Sequence, residues 1–553
     1  MTIRGDSHTA TVAGVVVPLT VGGVAFDSTQ SPHVQGEITL ADPPEALRDA
    51  LDPRQSPPPR ILITATDGEG ESAVVRTMDL TVRSRTGERA DATVILAVAS
   101  DEALLDDYRA LADDYRPLAL AGSLVAVCDY VLEKVIPGAA LATRPFVRLL
   151  PAWDATNYLL NPHAAVSSAN WRAVNATLGW SSGTFDGVNG YVLASSATAA
   201  EYALWAQATT GIDSAPKSVR PGEMITGWAK MRQASGSTQG QVRLAWWNDS
   251  GVIIGYSSSD YVPIAVAQRA VVTGEAPQGA ARVSLIVYFR ATAAGSSAHA
   301  DAAGLTDGEF DPGHFDGSNL GTADYTFTWS SLANASPSSR TKVSNAPDPE
   351  ALVLRAGQSA MEFLAPLVQA AGYRLVCDEQ RIWTLRDENY RADGSINIRH
   401  AVNLTSGHDV IDRDADEWCD AAVVQYTWRD RSGRDRTVTD SFGLVQAPTR
   451  VRLLERTSPY PGPGFAAYVV RRAQGRGRVV SASARANWAT TVEQFAELVF
   501  EDAPTQTGRA DRVVFDFARA EMTIDARTVD TPLGAIDLLA GTINALTGTI
   551  DTL

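Results

Sequence analysis

The chain has 553 residues, a formal charge of −17 and 45% apolar residues, so it is long enough for three or more domains with separate cores and too apolar to be disordered throughout. The acidic balance argues against nucleic-acid binding, which neutralises phosphates with Lys and Arg. Three scattered cysteines (Cys128, Cys377, Cys419) with no C-x-x-C pair predict neither a disulfide framework nor a zinc site, only buried small side chains.

Residues 10–98 alternate strand-like runs (11–17, 34–40, 60–65, 74–82 and 92–98) with turns. A Pro-led helix over 44–51 interrupts them, and Ser56-Pro57-Pro58-Pro59 marks a stiff turn back into a strand. This predicts a compact β-barrel-like domain over 1–99. Residues 1–21 lack a basic segment followed by an apolar one, and no run of about 18 apolar residues occurs anywhere, so neither a secretory signal nor a membrane span is expected. The tripeptide Arg4-Gly5-Asp6 is three common residues by chance.

From Ser100 the apolar period becomes helical. Ser100-Asp101-Glu102 reads as a cap with acids in the first turn, and an apolar helix over 118–136 ends at Pro137-Gly138. A matching helix over 359–371, stopped by Gly372, precedes strands over 373–377 and 381–386. Residues 100–155 and 345–400 are therefore expected to be two halves of one α+β domain, interrupted by 156–344.

The interrupting stretch, from about Asn161 to Gly317, has short segments rich in Val, Ile, Thr and aromatics, separated by turns at roughly 8–12-residue spacing, the signature of a β-sandwich. Arg220-Pro221-Gly222-Glu223 leads into a strand whose alternation puts Ile225, Ala229 and Met231 on one face and Thr226, Trp228 and Lys230 on the other. A second strand, 242–247, ends in the turn Asn248-Asp249-Ser250-Gly251; a third, 282–289, follows Ala276-Pro277-Gln278-Gly279; and the stretch closes at Asp311-Pro312-Gly313-His314-Phe315-Asp316-Gly317. In these turns and in their order it resembles a carbohydrate-binding-module-like jelly roll, similar, with its trailing 324–329 segment, to those inside minor tail proteins of phages that infect actinobacteria. A polar linker is expected over 333–349.

A hairpin over 417–441, turning at Asp430-Arg431-Ser432-Gly433, opens a second mainly β region, 401–530, with a helix over 465–474 and strand-like stretches over 478–486 and 512–527. The expected fold class is thus mainly β with α+β parts: two tube-type β-barrel domains, a split α+β domain and an inserted jelly roll. That order of domains resembles the tail-tip or baseplate hub (tail-associated protein) of long-tailed phages. The resemblance implies a homotrimer continuing or closing the tail tube, with the distal tail protein, the tape-measure protein and other tail-tip proteins as partners. DNA would slide through the channel without specific binding, past a surface whose acidity suits that passage. Assembly in the host cytoplasm and a place at the virion tail tip follow from it.

The C-terminal segment 531–553 has the cleanest periodicity. Ile536, Ile543 and Ile550 recur every seven residues, as do Leu539, Leu546 and Leu553, an a/d seam that predicts a coil joining subunits. Ile at a with Leu at d nominally favours two strands, so a trimer would have to be set by the barrels.

Motifs of zinc peptidases, P-loop proteins and dinucleotide-binding domains are missing, so no catalytic residue and no cofactor is expected. Asp412-Arg413-Asp414-Ala415-Asp416 imitates a calcium loop, but Glu417 and Val423 stand where glycine and a bidentate Glu are needed. Asp301 stands near where modules of the jelly-roll type place a calcium ligand, yet it has no acidic partner near Asn161, so it reads as an edge of the core and no metal is expected. Arg471, Arg472, Arg476, Arg478 and Arg485 read either as a contact for an acidic neighbour or as an exposed helix end offsetting its dipole. Trp228, Trp247 and Tyr288, with Lys230 and Arg243 beside them, are the candidates for a face that stacks on pyranose rings of a host cell-surface glycan; the alternative is that these rings are packed. A secreted glycan-active enzyme with a binding module and the hub of a contractile injection particle are the competing readings.

Overall fold

The computed structural model describes residues 7–12, 14–41, 43–67, 73–88, 93–185, 188–206, 215–411, 418–430, 433–474, 478–501 and 505–528. Arg4-Gly5-Asp6, the calcium-loop-like stretch, Arg476 and the whole 531–553 heptad lie outside them. The fold is mainly β with α+β parts, and the chain divides into two compact units: residues 1–150, 350–426 and 437–553, and residues 151–349 with 427–436.

In the first unit, six antiparallel strands close into a barrel: Ser7–Val12, Arg60–Asp67, Val74–Glu88, Thr93–Ala99, Val34–Ala41 and Val15–Asp27, with the last pairing back onto the first. Alternation drives this. Ile61 and Ile63, and Val94, Leu96 and Val98, point inward and are buried, while Leu62, Ile95 and Ala97 between them alternate to the outer, less buried face. In Val15–Asp27 the pairing register shifts between Leu19 and Val21, a bulge that switches the inward positions from Val17 and Leu19 to Val24 and Phe26, leaving Val21 outside.

That long strand also joins the N- and C-terminal β regions. One edge pairs along Val34–Ala41; the other gives its first residues to Ser7–Val12 and its last, Gly23 to Asp27, to Gln506–Asp516. From there the sheet runs on through Glu521–Thr528, Arg478–Arg485 and Leu404–Ile411, while Phe495–Val499 and Ser395–Arg399 add at the other edge of Gln506–Asp516. A single apolar cluster spans both regions, with Trp488 stacked on Phe515 at 4.5 Å and Phe515 edge-on to Phe26 at 6.0 Å. Among the described residues the second region is an open sheet sharing the core of the closed barrel.

The α+β layer has its own core, in which Leu124, Val127, Val131 and Leu132 meet Phe363, Leu364, Leu367 and Val368. The helix expected over 118–136 is two: Arg116–Ala119 and Leu124–Val135. Ser123 separates them because its hydroxyl accepts from the Ala126 amide at 3.3 Å, an N-cap that restarts the helix. Ala360–Ala370 opens on a capping box, Ser359 with Glu362, and is followed by the hairpin Tyr373–Cys377 and Trp383–Asp387.

The second unit is a two-sheet antiparallel sandwich. One sheet has the order Gln268–Glu275, Met224–Ser235, Ser297–Asp307, Val188–Ser196, Ala176–Phe185; the other runs Ile253–Ser258, Ser237–Trp247, Arg282–Ala291, Tyr202–Trp205, Arg172–Val174, with two short strands alongside. Ile225, Ala229 and Met231 of the first sheet face Val242, Leu244, Leu285 and Phe289 of the second across an apolar core. A third sheet joins the ends of the unit: Ala155–Asn157 pairs with Ser338–Lys342, which pairs with Tyr325–Trp329. Part of the 333–349 stretch expected as a linker is therefore a strand.

Candidate glycan-binding face

The five residues proposed for a sugar platform stand on opposite sides of the sandwich. Trp228 and Lys230 belong to the five-stranded sheet, and Trp247, Tyr288 and Arg243 to the seven-stranded one. No single ligand of ordinary size spans a sandwich whose packed sheets lie about 10 Å apart.

Trp228 is fully buried. A side chain on Gly304 of the neighbouring strand would lie 1.9 Å from its indole, Phe315 covers it with centroids 6.4 Å apart, and the Arg269 guanidinium lies 5.2 Å from its ring. Its strand alternation was legible, and the ring does face away from the sandwich core; the segment after Asp307 folds back over that face and covers it. Trp228 is thus a packing residue, and Lys230, half-buried beside it, faces the same covered side.

On the seven-stranded sheet, cross-strand register gathers a different set. Arg243 stands opposite Ile286 and Ser258, Ala245 opposite Tyr256, and Tyr288 between Ala203 and Gln241. The Arg243 guanidinium lies over the Tyr288 ring at 3.9 Å, held there because its Nε donates to Gln241 Oε1 at 2.6 Å. Tyr261 donates to Glu201 at 2.6 Å and is itself covered by Arg290 at 3.9 Å. Burial lifts the Tyr288 phenol above its ordinary range and the Arg243 charge opposes it. Trp247 is buried at the far end of the face: its indole N–H donates to Ser284 Oγ at 3.0 Å and its ring meets Trp205 edge-on at 5.9 Å, with Arg172 over Trp205 at 4.4 Å.

The accessible part of this face is Tyr256, half exposed, next to Tyr288 and Arg243. Sequence reasoning missed Tyr256, Tyr261, Gln241 and Trp205. The period-2 strand Ile253–Ser258 could have pointed to Tyr256; Tyr261 and Trp205 become neighbours only through pairing. Planar rings beside guanidinium and amide groups can stack on sugar CH faces and bond hydroxyls.

The basic residues near 471–485 do not form one patch. Arg472 is buried, its Nη2 donating to Ser28 O at 2.9 Å, Arg478 pairs with Asp409 at 2.6 Å, and Arg485 lies 3.6 Å from Asp67. Arg471 sits beside Phe442. All three cysteines are buried and unpaired with one another.

No family model matches the chain, and no curated protein matches it in sequence. Among solved structures it is similar to a tail protein from Neisseria meningitidis MC58 (6% identity, 95% of this chain and 96% of that one, TM-score 0.38). It is also similar to the 43 kDa tail protein of prophage MuSo2 from Shewanella oneidensis (9% identity, 94% and 98%, TM-score 0.35). Over 28% of its length it is similar to the C-terminal family 22 carbohydrate-binding module of Clostridium thermocellum Xyn10B (16% identity, 91% of that chain, TM-score 0.21). At these identities and scores the likenesses assign neither fold nor function.

Proposed function

We propose that this chain is a non-enzymatic structural protein of a phage tail, a trimeric tail-tip hub that continues or closes the tail tube and carries a jelly roll for host glycan. The observation that carries the reading is the strand Val15–Asp27, which closes a barrel with one part of its length and pairs the C-terminal β region with another, making one continuous sheet of two regions far apart in sequence. The barrel interior is filled by Ile38, Ile63, Met78 and Leu96, so a passage for DNA has to form between copies around an axis. Net charge of −17 favours release of DNA from such a wall. Distal tail protein, tape-measure protein and other tail-tip proteins are the partners this role requires.

Light scattering on the full-length chain, beside a variant cut after Pro532, tests the assembly: a trimer that weakens on truncation is expected, and a monomer in both overturns the trimeric hub. Immuno-electron microscopy of particles carrying the protein tests the location, and label away from the tail tip overturns it. A glycan array tests the jelly roll: binding that Tyr256→Ala and Tyr288→Ala both reduce is expected, and absence of binding to any cell-surface polysaccharide removes the attachment role.

A further inference from the structure

On the covered face of the five-stranded sheet, where Trp228 lies buried, two histidines and two aspartates converge. His163 comes from the loop before the first sandwich strand, Asp301 from the strand Ser297–Asp307, and His314 and Asp316 from the segment that folds back after it. The loop is held in place by its own bonds. Asn161 Nδ2 donates to the carbonyls of Ser167 and Ala169, both at 2.8 Å, the Trp171 indole donates to Asn161 O at 2.8 Å, and the Ala303 amide donates to Pro162 O at 3.0 Å. The returning segment is anchored by buried Phe315 and by a turn in which Asp316 Oδ1 accepts from the Ser318 amide at 2.7 Å.

These anchors aim three donor atoms at one point. His163 Nε2 lies 2.5 Å from His314 Nε2 and 3.6 Å from Asp316 Oδ2, and all three donor atoms lie within 4.8 Å of one another. His163 and Asp316 are buried, and His314 is partly so. Behind them, His163 Nδ1 lies 3.2 Å from the carboxylate of Asp301, which is 1% exposed. In the neutral ring that contact keeps the proton on Nδ1 and turns the Nε2 lone pair toward the other two donors, the carboxylate–histidine arrangement that commonly backs a metal ligand. Asp316 is arranged in the same sense: one oxygen serves its turn and the other faces the histidines.

The geometry points to a binding site for a zinc-class divalent transition-metal ion, with His163, His314 and Asp316 as ligands and Asp301 as the positioning residue behind His163. Two imidazoles and one carboxylate are a borderline donor set that suits zinc and its neighbours, whereas calcium takes six or more oxygens. An ion about 2.0–2.1 Å from each donor would hold them about 3.3 Å apart, between the two separations found from His163. Three protein donors leave a fourth position for solvent. Bound there, the ion would staple the start of the sandwich to its end across about 150 residues of chain, the kind of long closure from which a cross-link gains most. This site does not depend on a role in a tail.

The test uses the full-length chain, stripped with EDTA, refilled with zinc or with calcium and passed through a desalting column before its metal content and melting are measured. About one zinc per chain is expected, with a melting transition that zinc raises and calcium leaves in place. Cobalt in place of zinc should show the ligand-field bands of a nitrogen- and oxygen-ligated site. His314→Gln should lose the ion, and Asp301→Asn should weaken it about 10- to 100-fold while keeping the cobalt bands. If wild type retains no zinc and EDTA leaves its melting unchanged, the cluster is a hydrogen-bonded histidine pair and the assignment is wrong. Calcium retained in preference to zinc, or zinc retained in His163→Gln and His314→Gln together, also overturns it. The wild-type measurements decide the matter even if a variant fails to fold.

Discussion

Glu102 stands at the end of the first barrel, fully buried, with one oxygen accepting from the Cys377 amide at 2.8 Å and the other from the His33 amide. Burial pushes its carboxyl up from 4.5 to about 7, against the pull of those two amides. The folded chain therefore keeps a proton that the unfolded chain has already lost, so this group's contribution makes stability fall as pH rises from 4.5 to about 7 and flat above that. The loss is about 3 kcal/mol across the window. Glu102→Gln is expected to flatten the urea-midpoint profile between about pH 5 and about pH 8, and an unchanged profile would show that the carboxyl titrates normally. In sequence, Glu102 looks like an acid in a first helical turn; only the contact with a residue 275 positions away makes it a buried bridge. Trp228 teaches the same lesson. Gly304→Ala would put a methyl group into its indole and is expected to cost about 1–3 kcal/mol, read as a lower melting temperature, and Trp228→Ala about 3–5 kcal/mol. If Trp228→Ala instead melted like wild type and lost glycan binding, the ring would be a contact residue after all.

At the scale of elements, the junction strand Val15–Asp27 depends on close backbone approach. A Cβ on Gly23 would lie 2.4 Å from the Phe515 carbonyl oxygen, so Gly23→Ala must push the C-terminal strand away from the barrel. The expected result is about 1–3 kcal/mol of destabilisation, with faster hydrogen exchange at Val24 and Phe515, a hydrogen-bonded pair of this ladder, and unchanged exchange between Arg60–Asp67 and Val74–Glu88. Exchange accelerated equally throughout the unit would mean that the two β regions open together as one and that the effect is not local to this contact. The strands of the barrel were legible because short apolar runs bounded by turn residues are a local property, and the helix Ala360–Ala370 was legible from Ser359 and its apolar stripe. The break at Ser123 was not, since a serine within an apolar run reads equally as helix interior or cap until the amide of Ala126 is seen to reach it.

For the whole molecule, the sandwich has a core separate from those of the barrel and the α+β layer, and the strands Ala155–Asn157 and Ser338–Lys342 that bracket it are hydrogen-bonded neighbours. Residues 151–349 produced alone are expected to fold and melt cooperatively, and the full chain to show a transition at the same temperature; a sandwich that stays unfolded in isolation would mean that the remainder holds it together. The sequence by itself determined the fold class, most of the strands and the presence of a sandwich between helical segments, because side-chain period and turn residues act over neighbouring positions. Tertiary structure alone decided that the two β regions share a core, that Trp228 is covered while Tyr256 is open, and that His163 meets His314 and Asp316. Each of these depends on pairing register or chain return between residues far apart, which single-residue patterns do not encode.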